Sequence, residues 1–147
     1  SDEPAPSSAN FKVFSHTLGE SSVTLCAEAK LAGKLKRDFP RALEGAPALL
    51  PVENTALRRS LETWLRANQV KPNVVAEFED LALMKVMAAE GRGFIAVPTV
   101  ALREAVTRYQ FRSIGQATSC RVHFHAITAE RRIVHPAVSL ITRNTLT

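Results

Sequence analysis

The chain has 147 residues, of which 46% are hydrophobic and 22% are charged, a balance typical of a folded domain rather than a disordered or fibrous chain. Its apolar runs are too short for a membrane span, and we expect neither a secretion signal nor a membrane partner. The formal net charge of +5 is dispersed, without the interleaved aromatic residues of a base-stacking surface, so nucleic-acid binding by this chain is not predicted. The expected location is the cytoplasm.

The first third of the chain predicts strands with one short helix. Residues 1–10 hold two prolines and three serines without apolar periodicity, which is typical of a connecting segment. Gly19 and Glu20 separate two short alternating runs. The predicted elements are strands over 11–18 and 22–28, a helix over 30–39 that ends at Pro40, and a strand over 48–52.

An amphipathic helix is predicted next. Asn54 or Thr55 can cap it, because either side-chain oxygen can accept a hydrogen bond from an amide of the first turn. Its apolar residues recur at helical spacing, at Leu57, Leu61, Trp64 and Leu65. Its polar side, expected to face solvent, carries Arg58, Arg59, Glu62 and Arg66. We expect this helix to cover one face of a sheet.

A strand, a helix and a second strand are predicted over 73–78, 81–90 and 93–97, and a unit of this length should cross over in the right-handed sense. Asp80 is placed to cap the helix. Only Lys85 is polar inside it, so we expect the helix to be packed on nearly all sides. The remaining predicted elements are a helix over 100–108 that opens at Pro98 or Thr99, strands over 111–114 and 120–128, and a terminal helix over 135–142.

Motifs of catalysis and metal binding are weak. The chain has no Gly-x-Ser-x-Gly, HExxH or kinase signature, so an enzyme is not predicted. Cys26 and Cys120 lie far apart in alternating stretches, which favours reduced, half-buried strand residues over a disulfide or zinc site. His123 and His125 share a strand face, but two ligands do not make a closed metal site. We expect no cofactor.

Three segments lie where a predicted strand ends and the next helix begins, namely 51–55, 78–80 and 97–99. In open α/β sheets, ligands bind at such points. Helix amide ends favour anions, whereas the carboxylates of Glu53, Glu79 and Asp80 could bind a hard cation, so both polarities stay open. Each carboxylate could instead serve only as a cap or a first-turn charge.

The same residues resemble a known family. The runs 74–85 and 89–98, with the glycine-rich turn and the terminal proline, look like the strand-helix-strand signature of LysR-type transcription regulators. The segments 77–85, 97–99, 127–131 and 135–138 resemble more narrowly the NhaR-like activators of Na⁺/H⁺ antiporter genes, which respond to sodium and lithium.

The resemblance implies an α/β, type 2 periplasmic-binding-protein-like fold. It implies a complete second lobe with a mixed sheet flanked by helices, and a first lobe that is largely missing. Residues 1–10 would be the connecting segment from the first lobe, 11–119 the second lobe, and 120–147 the crossing strand and a terminal helix returning toward the first lobe.

The function implied is effector sensing by the C-terminal domain of a regulator that forms dimers or tetramers and contacts DNA only through an N-terminal helix-turn-helix absent from this chain. The alternative is a fragment of a transporter's solute-binding protein, which would share the fold. The effector would be a small molecule or a monovalent cation, with Na⁺ or Li⁺ contacted by Glu79 and Asp80. The residues expected to bind it are Asn54, Thr55, Glu79, Asp80, Pro98 and Thr99.

Overall fold

A computed structural model describes residues 13–129, with side-chain surroundings for residues 19–123. Of these, residues 21–122 form one compact unit, and the flanking residues 13–20 and 123–129 belong to a second. The connecting segment 1–10 and the terminal helix predicted over 135–142 lie outside the described residues. The domain boundaries drawn from the sequence stay predictions.

The described residues form five strands and four helices. Their bounds in chain order are β1 Val13–Ala27, α1 Ala29–Lys36, β2 Pro47–Pro51, α2 Ala56–Ala67, β3 Asn73–Phe78, α3 Leu81–Ala89, β4 Ile95–Pro98, α4 Leu102–Tyr109 and β5 Arg112–Ala129. Short 3₁₀ turns cover Arg41–Leu43 and Thr99–Ala101, so α4 begins a few residues later than predicted. The other helices predicted within the described residues and the strands β2, β3 and β4 are confirmed, with small shifts at their ends.

Strands β1 and β5 are continuous, and the prediction that each is two short strands was wrong. Gly19 has a φ of 148°, a conformation open to glycine that lets the chain continue rather than turn. Gly115 is required by packing, since a Cβ there would lie 2.6 Å from Cδ2 of Phe39. Both glycines resemble turn signals in the sequence, yet both lie inside strands.

The strands follow the order β3-β2-β4-β1-β5. Strands β4, β1 and β5 are hydrogen-bonded neighbours, and β2 pairs with β3 in parallel. A parallel bridge between Ala48 and Phe94 joins the two groups, with Leu49 N donating to Phe94 O at 2.9 Å. Strand β1 is antiparallel to β4, with Val23 opposite Pro98. The result is a mixed sheet in which the unit β3-α3-β4 crosses over β2; its handedness stays a prediction.

Helices cover both faces of this sheet. Alternation along β2 sends Ala48 and Leu50 into a core with Leu61, Trp64 and Leu65 of α2. Leu49 points to the other face, where Met84 and Ala88 of α3 and Ala105 of α4 lie. The predicted α/β fold with a sheet flanked by helices is therefore confirmed. Among the described residues, no helix is long and apolar enough to cross a membrane.

Helix α3 is packed on one side only, and the prediction of packing on nearly all sides was wrong. Met84 and Ala88 are buried, whereas Leu83 and Val86 are 48% and 47% exposed. The helix follows β3, the last strand of the described sheet on that side. It covers the sheet with one face and leaves the opposite face uncovered by the described residues.

Both cysteines are free and fully buried, not half-buried as predicted. Burial raises the pKa of the Cys26 thiol to about 12, against a smaller opposing effect of the Lys85 charge. Burial also raises the pKa of Cys120, whose Sγ donates to Ser60 O at 3.4 Å. Both residues therefore serve the core as neutral thiols.

Candidate functional site

The carboxyl ends of three strands meet at one edge of the sheet. Strands β2, β3 and β4 run in the same direction and end at Pro51, Phe78 and Pro98. Strand β1 is antiparallel to β4, so Ser21 and Ser22 lie at the same edge. We call this the strand-end edge. It is where ligands bind in open α/β sheets.

The loop after β2 contributes Asn54 and Thr55. Thr55 is the N-cap of α2, because its Oγ1 accepts from Arg58 N at 3.2 Å and donates to Val52 O at 3.1 Å. Asn54 is exposed and does not cap the helix. Val52 N donates to Phe78 O at 3.0 Å, which joins this loop to the end of β3.

The end of β3 contributes Glu79 and Asp80, both exposed. The predicted cap is confirmed, since Asp80 Oδ1 accepts from Ala82 N at 2.9 Å and Leu83 N at 3.3 Å. In the part of the chain that the structure describes, no group of three or more His, Cys, Asp or Glu side chains is arranged to hold a metal ion. These two carboxylates would need hydroxyl, carbonyl or water oxygens to complete a cation site.

The end of β4 carries a hydroxyl cluster that we define as Ser21, Ser22, Thr24 and Thr99. Thr99 Oγ1 lies 2.8 Å from Ser22 Oγ and 2.8 Å from Thr24 Oγ1. Val100 N donates to Ser21 Oγ at 3.3 Å. Thr24 is almost fully buried, whereas Thr99 is half-buried and Pro98 precedes it. The cluster therefore reaches from the core to the accessible edge.

Thr99 was predicted from the sequence, but the three β1 hydroxyls were not. These hydroxyls reach the site through the antiparallel pairing of β1 with β4. The pairing sets Val23 opposite Pro98 and so brings Ser22 and Thr24 beside Thr99. That pairing joins residues more than 70 positions apart, as the separation of 77 between Ser22 and Thr99 shows. Local patterns do not reveal it.

Arg58 was also missed, since it was predicted to face solvent and is only 4% exposed. Its Nε donates to Glu62 Oε2 at 2.7 Å, and its Nη1 donates to Glu77 Oε2 and Pro51 O at 2.8 Å each. Glu53 Oε2 lies 3.9 Å from Nη2. Burial alone lowers the pKa of this guanidinium, but the hydrogen bonds and charges of Glu62 and Glu77 outweigh it and raise the pKa.

The predicted residues thus come together as three neighbouring pairs. Asn54 and Thr55 follow the central strand β2, with Glu79 and Asp80 on one side and Pro98 and Thr99 on the other. The edge offers carboxylates, an amide and hydroxyls. The one buried positive side chain beside it among the described residues, Arg58, is already paired with the carboxylates of Glu62 and Glu77. This chemistry suits a ligand recognised through oxygen atoms.

Comparison with known proteins gives the family. The family model described as the LysR substrate binding domain matches residues 5–143. The transcriptional activator protein NhaR of Escherichia coli K12 is 31% identical over 142 residues, which cover 96% of this chain and 46% of that protein. The chain therefore spans about half the length of the curated relatives it matches.

Solved structures support the fold. The effector domain of the transcriptional regulator AmpR of Pseudomonas aeruginosa has a TM-score of 0.57 at 14% identity, covering 80% of this chain and 54% of that one. The regulatory domain of HypT from Salmonella typhimurium has the same TM-score at 19% identity, with the same coverage of 80% and 54%. These domains share the periplasmic-binding-protein-like fold expected from the sequence. The chain belongs to the LysR substrate-binding-domain family.

Proposed function

We propose that this chain is the effector-sensing domain of a LysR-type transcription regulator, with the strand-end edge as one wall of the effector site. The observation that carries the proposal is the convergence of Asn54, Thr55, Glu79, Asp80, Pro98 and Thr99 at that edge. The family match supports it. It also favours a regulator over the alternative, a solute-binding protein fragment, although the two share a fold.

The domain acts by binding rather than catalysis. An effector enters between this lobe and a first lobe, binds one arrangement of the lobes more tightly and shifts the regulator toward it. DNA is contacted by a helix-turn-helix elsewhere in the full protein, and the regulator works in the cytoplasm. The coupling between effector and DNA is then a difference in effector affinity between two states of the oligomer.

The effector that we propose is Na⁺ or Li⁺, and the target genes are those of a Na⁺/H⁺ antiporter. The 31% identity to NhaR over 96% of this chain supports this choice. Both cap hydrogen bonds of Asp80 go to Oδ1, so Oδ2 can serve as a cation ligand. Glu79 and the backbone carbonyls of the strand-end loops can supply further oxygens.

The regulator is proposed to be a homo-oligomer that associates through an apolar surface on β3 and α3. Four of the large exposed hydrophobic side chains of the described residues lie there: Val75, Leu81, Leu83 and Val86. Val74, also exposed, lies on the α2 side of β3 beside Leu50 and Leu65. Apolar patches of this kind and unpaired strand edges favour association. The occupant that we propose is a second copy of the same regulator, in agreement with its membership of the family.

The cation proposal is tested by thermal unfolding of the full-length regulator in NaCl, LiCl or KCl at equal ionic strength. We expect Na⁺ and Li⁺ to raise the unfolding temperature above its value in K⁺, because a ligand that binds only the folded state stabilises it. The variant Asp80→Asn keeps the helix cap, since asparagine caps as well as aspartate, but removes the charge. It should lose the Na⁺ and Li⁺ effect.

The matched control is Glu104→Gln, which removes an exposed carboxylate of α4 that pairs with Arg108. This variant should keep the full cation effect. Equal responses of the wild type and Asp80→Asn would remove Asp80 from the site. Equal unfolding temperatures of the wild type in all three salts would refute the cation as effector.

A further inference from the structure

The buried guanidinium of Arg58 joins the elements that carry the candidate site. It bonds Pro51 O at the end of β2, Glu77 near the end of β3 and Glu62 one turn further along α2. Pro51 lies three residues before Asn54, and Glu77 lies two residues before Glu79. Arg58 therefore ties together the two loops that follow β2 and β3.

The electrostatics of a helix N-terminus do not explain why an arginine lies at position 58. Arg58 lies in the first turn of α2, where the helix dipole disfavours positive charge, and its amide is the one that Thr55 caps. Burying a guanidinium is costly, and an ion pair of this kind contributes little stability beyond what a well-packed apolar residue would give. What Arg58 provides and an apolar side chain would not is a fixed, planar geometry toward three elements.

We propose that Arg58 is the positioning residue of the effector wall, and that its fork of hydrogen bonds sets the spacing between the Asn54–Thr55 pair and the Glu79–Asp80 pair. This proposal rests on the proposed function, because it assigns Arg58 a role in the same site. Arg58 acts through the two loops and does not itself contact the effector.

The test measures hydrogen exchange by mass spectrometry on the full-length regulator and its Arg58→Met variant, without any effector. We expect amides of residues 52–55 and 79–83 to exchange faster in the variant by at least roughly tenfold, because the loops lose their shared anchor. Exchange in β4 and in the central part of β1 should change by less than about twofold. Arg58→Lys keeps the charge but not the fork and should give an intermediate increase.

Two control variants separate positioning from other effects. Arg59→Met removes a neighbouring exposed cation of α2 and should leave the exchange of both loops unchanged. Leu61→Ala removes a fully buried side chain of the same helix and should speed exchange throughout the sheet by global destabilisation. If Arg58→Met leaves both loops at wild-type exchange, or follows the pattern of Leu61→Ala, the proposal is overturned.

The link to effector sensing has its own readout, the half-saturation concentration of the Na⁺- or Li⁺-dependent shift in unfolding temperature. Arg58→Met should raise this concentration at least roughly fivefold, because the loops spend less time in the binding arrangement. An unchanged concentration overturns the role of Arg58 in sensing. A wild type without any cation response refutes the proposed effector instead, while the exchange data still decide whether Arg58 positions the loops.

Discussion

Strands β4 and β3 both run parallel to β2, one on each side of it, yet they differ sharply in burial. Ile95, Ala96 and Val97 of β4 are at most 2% exposed, because β4 lies between β2 and β1. Val74 and Val75 of β3 are 39% and 48% exposed. Two strands with similarly apolar sequences therefore occupy a central and an edge position.

An apolar strand sequence therefore indicates that the strand's side chains need to be covered. It does not show whether the cover comes from the same chain. β4 meets that need inside the domain, where Gly93 lets β2 approach so closely that a Cβ would lie 3.0 Å from Pro47 O. In the described residues β3 has no pairing strand beyond it. The second copy that we propose on the β3 and α3 surface would cover this edge.

The largest expected contrast concerns thiol reactivity. Cys26 lies opposite Ile95 of β4, and burial raises its pKa to about 12 from an ordinary value of 9.0. Near pH 8 its thiolate population is then roughly a thousandfold below that of an exposed thiol. A cysteine introduced by Val75→Cys should be alkylated at least that much faster than Cys26 in dilute samples that sedimentation shows to be monomeric, as measured by peptide mass spectrometry. Equal rates would show that the centre is as accessible as the edge.

The sign of the pH effect follows from the same shift. A raised pKa means that the folded state favours the neutral thiol, so the contribution of Cys26 to stability is fully present below pH 9. It is lost as the pH rises toward about 12. Cys26→Ala should therefore reduce the fall in stability over that alkaline range, measured by denaturant unfolding at several pH values.

The second contrast compares two phenylalanines. Phe94 is fully buried just before β4, whereas Phe78 at the end of β3 is half-buried. Phe94→Ala should lower the free energy of unfolding by about 3–5 kcal/mol, the usual cost of a core cavity. Phe78→Ala should cost less than about half as much, since it loses less buried area. Denaturant unfolding measures both, and equal costs would contradict the packing difference.

The smallest expected effect on stability comes from the edge itself. Val75→Ser should change the free energy of unfolding by less than about 0.5 kcal/mol, as is usual for exposed positions. The same change should weaken self-association of the full-length regulator in sedimentation velocity, because it removes apolar contact area. The control is Thr107→Ser on the exposed side of α4, which should leave association unchanged. Unchanged association of Val75→Ser would exclude this residue from the oligomer interface.

The sequence predicted what depends on local patterns. The helix caps at Thr55 and Asp80 follow from side chains that bond amides two or three residues away, and the β3-α3-β4 unit follows from its hydropathy. The continuity of β1 and β5 was not predictable, because Gly19 and Gly115 have the same sequence appearance as turn residues. Whether a glycine ends a strand depends on neighbours such as Phe39, which is distant in sequence.

The candidate site, like the fold, was predictable where it depends on local patterns and not where it depends on distant contacts. Strand ends give Asn54, Thr55, Glu79, Asp80, Pro98 and Thr99 as residues at one edge, but the effector role of these residues stays a proposal. The hydroxyls of β1 and the burial of Arg58 depend on contacts between distant strands. A charged residue on the polar side of a helix is normally exposed, so the burial of Arg58 depends on its hydrogen-bond partners, the carboxylates of Glu62 and Glu77 and the carbonyl of Pro51.

The most direct test of the strand-end edge as effector wall does not require knowing the effector. It is saturation mutagenesis of residues 19–123 in the intact regulator, with a reporter on a promoter that the regulator binds. Variants that keep wild-type abundance and DNA binding but no longer activate the reporter, or activate it under all growth conditions, are then sequenced. We predict that they concentrate at residues 21–24, 51–58, 77–83 and 98–100. Their concentration at the opposite edge of the sheet, at residues 43–47, 68–73 and 90–94, would contradict the account.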